Sequence, residues 1–185
     1  MRVLIITPKA TGIGGVARHV SALASRLRRR NIEVDVVSTE NTPHLAVKGL
    51  YNPSFALTST FKGFSLRLHG EKYDIVHGHN LPTWPGVKAA PGEAKVLTLH
   101  GVYSESIRIL YGSLAGRLAE KLEVWMLKRV DAVTCVAPHV SDYYQERGIR
   151  AYFIPNGLDF EELPSEAERL YEKQVIYAGR LSYEK

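Results

Sequence analysis

The chain has 185 residues, 24 Lys and Arg against 19 Asp and Glu for a net charge of +5, and a single cysteine. That length suits one complete domain with a sizeable core. No run approaches the ~20 apolar residues of a membrane span, so no transmembrane helix is expected, and Cys135, having no second cysteine to pair with, fits a reducing cytosol.

Met1 and Arg2 lead into five strand-like residues before Pro8 and Lys9. This is too short for the apolar region of a secretion signal, so a cytoplasmic location is expected. Strand-forming runs then recur at Val3–Thr7, Glu33–Ser38, Asp74–His77, Lys95–Leu99, Ala132–Val136 and Ala151–Ile154, separated by helical patterns. Repeated strand and helix in alternation is the form of βαβ units, which predicts an α/β, Rossmann-like, doubly wound parallel sheet with helices on both faces. In the first helix, Gly15–Arg30, residues Val16, Val20, Leu23, Ala24 and Leu27 share one face. Ser113–Arg129 has the same one-sided pattern in Leu114, Leu118, Leu122 and Trp125. A third helix starts at Pro138 and runs to about Arg147, where Gly148 ends it. Thr42–Ser59, interrupted by Pro43, Gly49 and Pro53, reads as a loop and then a helix from about Ser54; the loop is a candidate cover for an acceptor. Pro155-Asn156-Gly157 reads as a turn, Glu161–Lys173 as a polar connection, and Val175–Ala178 as a further strand. The domain reading is therefore 1–155 as one α/β domain, 156–173 as a connection and 174–185 as the start of a second domain that continues past Lys185.

Arg26, Arg28, Arg29 and Arg30 close the first helix, where cations complement the helix dipole. They also suit an anionic membrane surface, so peripheral contact with the inner face of a membrane stays open. Nucleic acid is not expected as a partner, because neither an RNA-binding aromatic signature nor a zinc-finger spacing occurs.

After the first strand, Gly12, Gly14 and Gly15 precede the helix, so backbone amides can approach a phosphate at its positive end. Gly12-x-Gly14-x-x-Ala17 also satisfies the dinucleotide fingerprint, with Glu40 placed as a ribose-binding acid, but residues 8–11 push the glycines away from the strand end. An NAD-binding domain and a non-catalytic module for a phosphorylated ligand both remain alternatives. His77 and His79, two apart in an extended segment, share a face and raise a metal reading. No acidic residue lies beside them, and no metal is expected.

Taken together, Gly14-Gly15-Val-Ala-Arg-His19, Asp74-Ile-Val-His77-Gly-His79-Asn80, Val96-Leu-Thr-Leu-His100-Gly101, Ile154-Pro-Asn-Gly-Leu-Asp159 and Val175-Ile-Tyr-Ala-Gly179-Arg180-Leu-Ser-Tyr-Glu-Lys185 resemble the amino-terminal domain of group 1 (family 4) glycosyltransferases and the start of the domain after it. The resemblance implies a GT-B fold, in which two Rossmann-like domains face each other across a cleft, and transfer of a sugar from a nucleoside-diphosphate donor to an acceptor hydroxyl with retention of configuration. It implies Gly14 and Gly15 beside the donor diphosphate, with Arg180 and Lys185 neutralising that diphosphate as it leaves, without metal or cofactor. It implies His100 as a catalytic group against the transferred sugar. His19, His79 and Asn80 become candidates for the acceptor, be it a sugar, a small alcohol or a lipid-linked molecule. The chain would then be an acceptor-side half, inactive alone.

Overall fold

The computed structural model describes residues 1–12, 14–47, 49–157, 171 and 173–177. The chain divides into two units, Met1–Pro155 and Asn156–Lys185. In the first, the elements run β1 (Arg2–Ile6), α1 (Gly15–Arg29), β2 (Glu33–Val37), α2 (Tyr51–Leu68), β3 (Ile75–His79), α3 (Trp84–Ala89), β4 (Ala94–Leu99), α4 (Tyr103–Tyr111), α5 (Ser113–Leu127), β5 (Ala132–Cys135), α6 (Pro138–Gln145) and β6 (Ala151–Phe153). A single turn of 3₁₀-helix, Leu81–Thr83, precedes α3.

The strands form one parallel sheet in the order β2-β1-β3-β4-β5-β6. The chain leaves β1 toward β2, then returns past β1 to β3, so the direction of winding reverses between β1 and β3. At such a reversal the loops diverge at the carboxyl ends of the strands and leave a crevice, which is where open α/β sheets bind their ligands.

Alternation along each strand sorts the two faces. Val3 and Ile5 of β1 pack with Val20 and Ala24 of α1 and Val34 of β2. Leu4 and Ile6 turn the other way, to a larger core with Phe55 of α2, Val87 of α3, Leu127 of α5 and Val140 and Tyr144 of α6. Register carries the α1-side face across the sheet: Ile5 lies beside His77, His79 beside Thr98, and Thr98 beside Thr134. Gly78, between the two histidines, faces the opposite core. A Cβ there would lie 2.6 Å from Val87 and 2.8 Å from Leu97, so only glycine lets α3 pack this close to β3.

Every expected strand of the first unit forms within two residues of its expected ends, and α1 buries the expected stripe. Four features differ from expectation. Helix α2 begins at Tyr51, before Ser54, because Pro53 falls in the first turn, where its missing N–H costs nothing. Helices α3 and α4 arise in segments with no clear helical period; α3 is six residues long with Pro85 at its start. The apolar face of α5 is exposed, with Leu114 at 71 % and Leu118 at 62 %, and Leu122 and Trp125 follow the same side. Its inward face instead carries Gly116, against Arg108 of α4, and the buried Glu123. The Glu123 carboxylate accepts hydrogen bonds from the amides of Tyr103 (3.1 Å) and Ser104 (3.2 Å) at the start of α4 and from the Tyr144 hydroxyl. Those partners orient α5, because a buried carboxylate must be satisfied before an apolar stripe can choose its side. Finally, in the second unit, Val175, Ile176 and Tyr177 of the expected strand Val175–Ala178 are exposed and do not form strand. Ala178, Arg180 and Lys185, with the rest of the Gly-Arg-x4-Lys segment, lie outside the described residues, as do most of Glu161–Lys173.

Candidate active site

Three segments converge at the crevice: the start of α1, the end of β3 and the residue after β4. Gly14 caps α1 at φ 143°, ψ 150°, a region open to glycine, and no side chain caps the helix. No acidic residue occupies the first turn, so the partial positive charge of the helix end is uncompensated by its own sequence. Upstream, the loop is held by Glu40, whose carboxylate accepts from the amides of Ala10 (3.2 and 3.3 Å) and Thr11 (3.3 Å) and from the Thr11 hydroxyl (3.4 Å). Burial raises the Glu40 pKa, but the hydrogen bonds with Ser38, its own amide and the Ala10 and Thr11 amides outweigh it and leave the group below its ordinary value. The residue expected as a ribose-binding acid under the dinucleotide fingerprint thus anchors the glycine loop.

One turn into α1, His19 meets two other imidazoles. Its ring centroid lies 5.3 Å from that of His79 and 5.2 Å from that of His100, and the His79 and His100 centroids are 5.5 Å apart. His77, on the same face as the alternation predicts, stands 4.5 Å behind His79, with Nε2 bonded to the Thr98 hydroxyl at 2.6 Å. That hydroxyl continues to Thr134 Oγ1 at 2.6 Å. His79 Nδ1 and His100 Nε2 share a hydrogen bond of 3.2 Å. Among the described residues, none is a hydrogen-bond partner of the buried His79 Nε2.

Asn80 takes the positive φ of 66° that lets the chain turn out of β3. Its own amide donates to the Thr98 carbonyl at 2.8 Å, and its side-chain Oδ1 accepts from the His100 amide at 3.0 Å. Asn80 therefore fixes the backbone of His100 relative to β3, a positioning contact that its place after a His-x-His run did not reveal. His79, expected to face an acceptor, is fully buried and touches the crevice through His100. His19 and His100 are partly exposed.

Packed together out of water, these rings resist protonation. Burial, and then repulsion by His19 and His100, pushes His77 down to about 4. Burial and His19 push His100 down to about 4, and burial followed by His77, His100 and His19 holds His79 well below the ordinary range. At neutral pH the three are uncharged, so each offers one N–H and one lone pair.

An open groove between α1 and the β2 edge of the sheet, lined by Ala10, Thr11, Ala24, Arg28, Arg29 and Val36, does not include the histidines. The arginine cluster sits farther along it: Arg26, Arg28, Arg29 and Arg30 are exposed, with Arg28 donating to the Val34 carbonyl at 2.7 Å. Arg30 stands 11 residues after His19, about 16 Å along the helix at 1.5 Å per residue.

The sequence model of Glycosyltransferase Family 4 matches residues 13–162. The chain belongs to this family. No curated protein matches it. The matched span begins in the glycine loop, after β1, and runs past β6; it includes every residue of the histidine group, so the crevice belongs to a glycosyltransferase domain that acts on a sugar donor and an acceptor. Among the described residues, no helix is long and apolar enough to cross a membrane.

Proposed function

We propose that this domain forms the acceptor side of a retaining transferase that moves a hexosyl-type group from a nucleoside-diphosphate sugar to an acceptor hydroxyl. The observation that carries the reading is His100, partly exposed at the carboxyl end of β4 and held from two directions by Asn80 and His79, beside the uncapped start of α1. The Gly14 and Gly15 amides would receive the donor diphosphate at the helix's positive end. Arg180 and Lys185 would stabilise the negative charge that grows there as the sugar–phosphate bond breaks, a favourable term that is larger in the transition state than in the ground state. No metal is required in this scheme.

His100, kept neutral, orients the transferred sugar and the incoming hydroxyl; the departing phosphate oxygen takes the hydroxyl proton on the same face, and the new bond keeps the donor's configuration. His79 positions His100 from behind, and His19 meets the acceptor from α1. The 1–155 unit needs a donor-binding domain to complete the cleft, so transfer is absent without one. We place the reaction in the cytoplasm, in carbohydrate biosynthesis, with the acceptor a sugar, small alcohol or lipid-linked molecule, and with Arg26 to Arg30 as the surface for any contact with an anionic membrane. Nucleic acid has no part in it.

The test is transfer by the full-length gene product from uridine, guanosine and adenosine diphosphate sugars to a panel of such acceptors, with proton NMR of the product. An anomeric coupling that matches the donor's supports the reading. An inverted product, or binding of NAD alone among the nucleotides, refutes it.

A further inference from the structure

His19, His79 and His100 bring three imidazoles from three segments of the fold into one triangle. One nitrogen of each ring lies within 4.8 Å of the corresponding nitrogens of the other two. A zinc-type ion binds imidazole nitrogen at about 2.1 Å, which puts each ring centroid about 3.2 Å from the ion and two tetrahedrally disposed centroids about 5.3 Å apart. The observed centroid separations are 5.2, 5.3 and 5.5 Å. The ring centroids therefore stand at the distances of a three-imidazole site.

A second observation points the same way. His79 Nε2 is buried and has no hydrogen-bond partner among the described residues, and an imidazole nitrogen cut off from water is expected to have one. The ring to which it belongs touches both other members of the triangle. Each ligand also comes from a different, well-anchored element: α1, β3 and the Asn80-clamped end of β4. Behind them, His77 and Thr98 form an outer layer that packs against His79, as second-layer groups do around metal sites.

We infer that His19, His79 and His100 form a binding site for a divalent transition metal of the zinc type, with three neutral imidazole ligands and a fourth position open toward the crevice. The ligand chemistry selects the class: an all-nitrogen set suits Zn²⁺, Co²⁺, Ni²⁺ or Cu²⁺, whereas Mg²⁺ and Ca²⁺ require oxygen ligands that this group does not offer. Three neutral ligands leave the full charge of the ion, so the fourth ligand is an oxygen from water, a hydroxyl or a phosphate. Metal binding here also draws His100 away from an acceptor, so zinc inhibits transfer. That consequence rests on the proposed function; the site itself does not.

The experiment is titration of the metal-free protein with Co²⁺, followed by visible absorption, and with Zn²⁺, followed by calorimetry and thermal unfolding. The expected result is one ion per chain, the intense visible bands of four-coordinate Co²⁺, and a zinc-dependent rise in Tm. His19→Ala and His100→Ala, at partly exposed positions, should each weaken binding at least about tenfold. The double variant His69→Ala and His139→Ala, at exposed positions outside the triangle, should bind as the parent does. Weak six-coordinate Co²⁺ spectra, no saturable binding, or affinity unchanged by His100→Ala would overturn the site, as would loss of binding in the His69 and His139 variant. Should zinc bind as described yet leave transfer unaffected, the site stands and the role of His100 in transfer falls.

Discussion

Acid should destabilise this fold earlier than its carboxylates alone require, because its histidine group is buried uncharged. A histidine whose folded pKa lies below its unfolded value of about 6.5 contributes nothing to pH dependence at pH 8, where both states are neutral. As pH falls from 6.5 toward 4 the unfolded chain takes up a proton that the folded chain refuses, and stability is lost through that window. His77 and His100 each sit at about 4. At pH 5 the difference in proton uptake amounts to about 2 kcal/mol for each, or about 4 kcal/mol together, with His79 adding in the same direction. Against a typical total of about 5–15 kcal/mol, that is a large share. Urea unfolding of the metal-free protein, with chelator present, at pH 8, 7, 6 and 5 reads this directly. The midpoint should drop steeply between pH 6.5 and 5, and His100→Gln should flatten the drop by less than half. A midpoint constant from pH 8 to pH 5, or one whose fall starts only below pH 4.5 where the carboxylates titrate, would refute the reasoning.

Three substitutions test the packing. Glu123→Ala leaves the Tyr103 and Ser104 amides and the Tyr144 hydroxyl without their acceptor and should cost about 3–5 kcal/mol in chemical denaturation. Gly78→Ala drives a methyl into Val87 and Leu97 and should lower stability by about 1–3 kcal/mol, with a smaller loss if α3 moves away from β3. Leu118→Gln, on the exposed face of α5, should change stability by no more than about 0.5 kcal/mol; a loss of several kcal/mol would return that stripe to the core.

The parallel sheet was legible in the sequence because strands buried on both faces announce themselves as short β-branched runs, and α1 because Val20 and Ala24 must meet Val3 and Ile5. The orientation of α5 was not. Its apolar period marks a face without saying what covers it, and the deciding residue, Glu123, looks in sequence like one more charge on a polar helix. Helix α3 is six residues long, too short to show a period, and Pro82 and Pro85 stand where the turn and the helix begin. At the site, His-x-His predicted that His77 and His79 share a face, but sequence spacing cannot bring in His19 from 60 residues upstream of His79 or His100 from 21 residues downstream. Those meetings follow from the return of the chain past β1 to β3 and from the register of β3 against β4. The Asn80 clamp on the His100 amide left one trace in advance, a short polar residue where the chain turns at positive φ.

The most direct test of the central claim compares kcat/KM for glycosyl transfer by the full-length gene product and its His100→Ala variant, with one donor, one acceptor and the metal chelated. If His100 aligns sugar and hydroxyl at this crevice, kcat/KM falls by at least about 10²-fold while donor KM changes little, the pattern of an interaction made in the transition state. An unchanged kcat/KM in a folded variant would contradict the account.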